Sequence, residues 1–126
     1  MIRLTKKQVL SLHRLLSEST GGDAGVRDEG LLASALDTPF AVFGDTAFYP
    51  TTEEKGARLG YGLVANHAFV DGNKRIGLLA MLVFMEMNGV PLSCTDDEMV
   101  RVGLSLADGS LSYEALLGWV VGHKAR

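Results

Sequence analysis

The sequence has a single cysteine and three prolines among its 126 residues, and no charge of one sign dominates it. Cys94 alone excludes an internal disulfide, and without clustered histidines it cannot build a structural zinc site. Twelve Lys and Arg against 15 Asp and Glu leave a net charge of −3, which argues against nonspecific nucleic-acid binding. The longest apolar run, residues 76–85, is about half of the roughly 20 residues that span a bilayer. Charges interrupt residues 1–16, unlike a signal peptide. We therefore expect a cytoplasmic protein with no direct nucleic-acid or membrane partner.

The length fits a single domain over residues 1–126, and the patterning of that domain is helical. Side chains that cap helix N-termini precede apolar residues at helical spacing in five places. These capping residues are Thr5, Asp28, Thr51, Thr95 and Ser112. A further helix, from about Asn73 to Asn88, is apolar on nearly every side, which is typical of the centre of a bundle. We predict an all-α bundle of about six helices around this central apolar helix.

Residues 40–50 interrupt the helical pattern. Aromatic and β-branched residues flank a Gly44-Asp45 turn there, which predicts a small β-hairpin. Because an isolated hairpin is marginal in water, it must lean either on the helices or on a partner. Both interpretations stay open at this point.

Residues 67–75, HAFVDGNKR, place a tight turn before the start of the central helix. A helix N-terminus offers unpaired N–H groups and partial positive charge, which suit a phosphate. Gly72 allows a ligand to approach the backbone closely. Lys74 and Arg75 add two cations where the helix dipole favours acids, so an anionic ligand is the natural compensation.

The same segment carries groups for acid–base and metal chemistry. Asp71 is a hard oxygen ligand suited to Mg²⁺ that bridges phosphate oxygens. His67 can accept a proton from an attacking hydroxyl at neutral pH. Phe69 is expected to point inward and anchor the loop. Together these parts predict nucleotide-dependent phosphoryl or nucleotidyl transfer, because such catalysis is mostly positioning and charge stabilisation.

Each residue of the segment also has a structural interpretation. A histidine at a helix end, a turn with Asp71 and Gly72, and a solvated basic first turn are all common. His67 and Asp71 could ligate a hydrolase metal, but the sequence offers no third ligand nearby. His13 and His123 are not followed by aspartate, as an HD-type hydrolase would require. The segment favours function only when taken as a whole.

The segment resembles the signature of the Fic/Doc family, His-x-Phe-x-Asp/Glu-Gly/Ala-Asn-Gly/Lys-Arg. The Doc branch, the death-on-curing toxins of toxin–antitoxin modules, is the closer match. The similarity to the N-terminal half of Doc-like proteins extends to Leu12-His13, Gly21-Gly22 and the stretches 25–32 and 34–36. The resemblance covers nearly the whole chain and implies a Fic-like helical bundle.

The resemblance also implies a role for each matching position. His67 corresponds to the catalytic histidine that acts on a hydroxyl of a protein substrate, and Asp71 to the acid that holds Mg²⁺. The nucleotide phosphates are implied to lie against Gly72, Asn73, Lys74 and Arg75, and Lys74 and Arg75 are also expected to act in catalysis. The hairpin falls where the family has a flap that docks the target chain. The flap residues are Phe43, Gly44, Asp45 and Thr46.

Two positions separate this sequence from the adenylyltransferases of the family. Those enzymes have glycine at the position of Lys74 and a second arginine at that of Leu78. Both differences follow the Doc pattern, which implies phosphoryl transfer from ATP to a threonine of translation elongation factor Tu, and growth arrest. AMP transfer is the first alternative, and a non-catalytic module that binds anions or a partner is the second.

The sequence also lacks the inhibitory motif of self-restrained Fic proteins, Ser/Thr-x-x-x-Glu-Gly/Asn. Glu29 is the only glutamate followed by glycine or asparagine, and Gly25 stands four residues before it. The resemblance therefore implies that an antitoxin supplies the inhibition in trans, through an amphipathic or disordered segment.

Overall fold

The computed structural model describes residues 1–125 and confirms the predicted all-α fold. Six α-helices, one 3-10 turn and one two-stranded hairpin make up the described chain. In chain order these are α1 (Lys6–Thr20), α2 (Glu29–Asp37), the 3-10 turn (Thr38–Phe40), β1 (Val42–Phe43), β2 (Thr46–Ala47), α3 (Thr52–Ala65), α4 (Asn73–Met87), α5 (Asp96–Ala107) and α6 (Tyr113–Gly122).

Local capping sets where five of these helices begin. Thr5, Thr51 and Thr95 each form a complete capping box with the glutamine or glutamate three residues later. Asp28 and Ser112 cap α2 and α6 by accepting a single backbone N–H bond. Each of these helices starts at the residue after its cap, as the sequence predicts.

Helix α4 lies at the centre and packs against α1, α3 and α5. Its closest neighbour is α3, and glycines on both helices (Gly60 and Gly77) bring the two backbones together. The predicted central position of α4 is confirmed, and most of its apolar residues are buried. Leu79 and Leu82 are only half-buried and line a groove.

The hairpin is present but short. Strands β1 and β2 are antiparallel, pair Val42 with Ala47 and Phe43 with Thr46, and turn through Gly44 at a φ of 61°. The 3-10 turn that leads into it packs on the bundle, because the ring of Phe40 meets that of Phe84 edge-on at 6.1 Å. The tip of the hairpin does not pack on the helices, since Phe43 is 79% exposed. A docking role for the tip stays a prediction.

Within residues 1–125, no helix has the length and apolar character that crossing a membrane requires.

Candidate active site

His67 stands just past the end of α3 in a backbone conformation that side chains rarely adopt. Its φ is +50°, and it is the one non-glycine residue with positive φ among residues 1–125. Helices commonly end with a left-handed residue at this position, but that residue is usually glycine, because a Cβ is disfavoured there. The imidazole is exposed and lines the groove beside α4. A strained, exposed histidine in a groove is a feature typical of functional sites.

Two reciprocal hydrogen bonds close the turn that follows His67. The Nδ2 of Asn73 donates to the Phe69 carbonyl, and the Phe69 N–H donates to Oδ1 of Asn73, both at 3.0 Å. Phe69 itself is 1% exposed and forms a β-bridge with Val26. The Asn73 side chain is thus occupied within the turn, so Asn73 offers a ligand its backbone rather than its amide group.

His13, on α1, supports the other side of this turn. Its Nε2 lies 2.7 Å from the carbonyl oxygen of Asp71, and its ring stacks on that of Phe69 with centroids 3.8 Å apart. His13 is 1% exposed. A Cβ added at Gly72 would lie 3.4 Å from its Nε2. The sequence pattern did not predict this supporting role for His13. The available signal was its place four residues after Val9, on the face of α1 that turns out to be buried.

The Asp71 carboxylate is exposed and only partly engaged. Its Oδ2 accepts a hydrogen bond of 3.1 Å from the backbone N–H of Asp23. Its Oδ1 has no protein partner in the described chain. Residues 1–125 contain no metal site built from three or more His, Cys, Asp or Glu side chains. A single free carboxylate nevertheless fits Mg²⁺, which commonly takes one or two carboxylates and completes its shell with substrate phosphates and water.

The start of α4 differs from the other helix starts. Gly72 is its N-cap, with a φ of +78°, and no side chain in residues 1–125 caps it. Lys74 and Arg75 are exposed in the first turn, and no acid lies there. The first backbone N–H groups of α4 and two cations therefore face the same space, which suits an anion such as a phosphate chain.

These groups meet at one end of a groove of about 790 Å³, within the size range of small-molecule sites. Its polar end comprises His67 and residues 71–75. Its walls along α4 and α5 are mostly apolar. They include Leu78, Leu79, Leu82, Met99, Val100 and Leu104. The groove therefore presents a phosphate-binding end and an apolar trough on one surface.

The structure does not bring the hairpin into this groove. Neither strand nor the turn between them, residues 42–47, contributes to the groove lining in the described chain. The predicted catalytic and phosphate-binding residues are thus close together, and the predicted flap residues Phe43, Gly44, Asp45 and Thr46 lie apart from them.

The chain is similar to known proteins over more than half of its length. A model of the Fic/DOC family matches residues 3–85. The chain is also similar to "Toxin Doc" of Mycolicibacterium smegmatis (strain ATCC 700084 / mc(2)155), with 43% identity over 77 residues. That stretch covers 61% of this chain and 59% of the relative's length. Helix α5, the second wall of the groove, lies outside the family match.

Proposed function

The chain belongs to the Fic/DOC family, and from that premise we propose that it is a Doc-like toxin that phosphorylates a protein. Its donor is ATP, and its acceptor is a serine or threonine hydroxyl of a translation protein such as elongation factor Tu. The consequence is growth arrest. The observation that carries this proposal is the shared groove, which is lined both by His67 and by an uncapped helix N-terminus with two cations.

In the proposed reaction, the acceptor oxygen attacks the γ-phosphorus of ATP while an imidazole nitrogen of His67 takes the hydroxyl proton. The bond between the γ-phosphorus and the oxygen bridging to the β-phosphate breaks, and ADP leaves. The N–H groups at the start of α4, with Lys74 and Arg75, stabilise the negative charge on the phosphates. Asp71 would hold Mg²⁺, which when bound neutralises phosphate oxygens.

Lys74 and Leu78 support phosphoryl over nucleotidyl transfer. Both line the groove, one helical turn apart on α4. Leu78 makes that wall apolar where an adenylyltransferase of the family has a second arginine. Lys74 adds a flexible cation in residues 72–74, here called the anion loop, at a position where such an enzyme has glycine. A lysine in this position changes how the phosphates are seated and favours attack at the terminal phosphorus.

A label-transfer assay tests the reaction. The purified chain is incubated with Mg²⁺, a bacterial lysate or purified elongation factor Tu, and ATP labelled at the γ- or the α-phosphate. We expect label from the γ position only, and none with His67→Ala. His123→Ala is the matched histidine control and should keep activity, because His123 lies outside the groove. Label from the α position would instead establish AMP transfer.

A non-catalytic module makes the opposite prediction. If the groove only binds anions or a partner, His67→Ala should arrest growth as strongly as the unmodified chain does. No transfer from either label, with an acceptor verified to be intact, would also favour that alternative.

We further propose that a cognate antitoxin docks in the apolar part of the groove. Val70, Val100 and Leu104 are 49%, 59% and 53% exposed, and all three line the groove next to its charged end. An amphipathic helix or a disordered segment that folds on binding fits such a trough. Its insertion beside His67 would block the nucleotide.

Co-purification from the native host tests the partner. We expect a small protein to copurify with the chain and Leu104→Glu to weaken the complex. Val121→Glu, which changes an equally exposed residue of α6, should not. Recovery of no small partner, with a chain that is harmless when expressed alone, would contradict the proposal.

A further inference from the structure

A single arginine from the N-terminal half satisfies three successive carbonyls around His67. The Nη2 of Arg27 donates to the Asn66 oxygen at 3.3 Å, and its Nε donates to the His67 oxygen at 2.7 Å. Its backbone N–H donates to the Ala68 oxygen at 2.7 Å. Forty residues separate Arg27 from His67 in the chain, so these contacts are tertiary.

The segment that carries Arg27 is itself held against the turn. The N–H of Asp28 also donates to the Ala68 oxygen, at 3.1 Å, and the N–H of Val70 donates to the Gly25 oxygen at 2.9 Å. These backbone bonds fix the position of Arg27 independently of its side chain. The guanidinium therefore reaches the end of α3 from a rigid base.

The two carbonyls that the guanidinium binds lie on either side of the Cα of His67, just past Ala65, the last residue of α3. They belong to the two peptide planes whose relative orientation sets φ and ψ of His67. The residue at this position after a helix is usually a left-handed glycine. Here histidine occupies the left-handed position, and the guanidinium holds both adjoining peptide groups. Arg27 thus supports a backbone conformation that a residue with a Cβ disfavours.

We propose that Arg27 is a positioning residue that holds His67 in its left-handed conformation and so keeps the imidazole in the groove. This inference rests on the proposed role of His67 as the base. Arg27 does not line the groove, in contrast to Lys74 and Arg75. It therefore acts on the histidine and not on the phosphates, which separates its effect on turnover from any effect on nucleotide binding.

Kinetics of Arg27→Ala test the inference. We expect kcat for phosphoryl transfer at saturating acceptor to fall about 100-fold, the scale of a small misplacement of a catalytic group, with the KM for ATP within about twofold. Arg27→Lys should be intermediate, because one ammonium cannot reach two carbonyls in the fixed geometry of a guanidinium. Arg14→Ala, which removes an exposed arginine of α1, should leave both constants unchanged.

Two further measurements separate positioning from a general loss of structure. Guanidinium chloride at a low, non-denaturing concentration should restore part of the kcat of Arg27→Ala, since the site of Arg27 is exposed, and should not affect Arg14→Ala. NMR should show a changed three-bond HN–Hα coupling at His67 in Arg27→Ala, because that coupling depends on φ. The couplings of α6 should not change.

Several outcomes would overturn the inference. One is a kcat equal to that of the unmodified chain; another is a lower kcat with an unchanged coupling at His67 and no guanidinium rescue. The coupling requires no turnover, so it tests the hold on His67 even if the unmodified chain transfers no label. In that case the proposed function fails, and an altered coupling would still establish that Arg27 sets the backbone at His67.

Discussion

Replacing Gly77 with alanine should weaken the contact between α3 and α4, on which the whole site depends. A Cβ at Gly77 would lie 2.6 Å from Cγ2 of Val64, 3.1 Å from the Gly60 oxygen and 3.3 Å from the Val64 nitrogen. Val64 is β-branched and 2% exposed, so its methyl group has little freedom to rotate away. The other two atoms belong to the backbone, so relief requires the helices to separate.

The expected free energy follows from two opposing effects. Gly→Ala within a helix stabilises by about 1 kcal/mol through propensity. Overpacking a tight contact destabilises by about 1–3 kcal/mol. We expect Gly77→Ala to lose about 1 kcal/mol net. Gly118 in α6 is the matched control, because nothing lies within 4 Å of its added Cβ, and Gly118→Ala should gain up to about 1 kcal/mol.

Urea unfolding measures both free energies, and the expected separation of about 2 kcal/mol far exceeds the error of paired midpoints. Activity should fall in Gly77→Ala as well, because α3 leads into His67 and α4 begins at the anion loop, so separating the helices moves one group relative to the other. If Gly77→Ala proved as stable and as active as Gly118→Ala, the argument from backbone contact would be refuted.

Three further predictions concern the histidines and the hairpin. His67→Gly should be inactive yet more stable than His67→Ala by about 1 kcal/mol in urea unfolding, since glycine tolerates the positive φ. Equal stabilities of the two variants would argue against backbone strain at His67. Hydrogen bonds to the Trp119 carbonyl and to Glu98 raise the pKa of His123, so its stabilising effect is complete below its ordinary pKa of about 6.5 and is lost as the pH rises through the raised value. The difference in unfolding free energy between the unmodified chain and His123→Gln should therefore be larger at pH 6 than at pH 9, and a constant difference would contradict this. Phe43→Ala should raise the KM for the protein acceptor about tenfold in steady-state assays, because the exposed hairpin tip is predicted to dock that acceptor. The KM for ATP should not change. An unchanged KM for the acceptor would contradict a docking role for the tip.

Much of the fold is predictable because its signals are local. Thr5, Thr51 and Thr95 each reach only three residues along the chain, so a short window of sequence contains the whole capping box. The core of the site is predictable for the same reason. His67, Asp71 and the anion loop lie within nine consecutive residues. They are close in space because a short turn joins the end of α3 to the start of α4 there.

The sequence could not show which distant residues support the site. His13 meets the Asp71 carbonyl across 58 positions, and Arg27 meets His67 across 40. Neither residue has a periodic pattern that points to its partner, because these contacts exist only once α1, α3 and α4 have packed. The groove along α4 likewise depends on how the helices pack. The apolar faces of α4 look alike in sequence, and only the placement of α5 decides which of them is left uncovered.

The sequence by itself determined the helices, the central position of α4 and the contiguous set of chemical groups, since each depends on neighbours within a few residues. Only the tertiary structure decided the left-handed backbone at His67. That conformation is unfavourable for an isolated histidine, and the sequence has no glycine at this position that would have predicted it. It persists because donors from a distant segment satisfy the carbonyls around it, and those donors arrive only when the chain has folded.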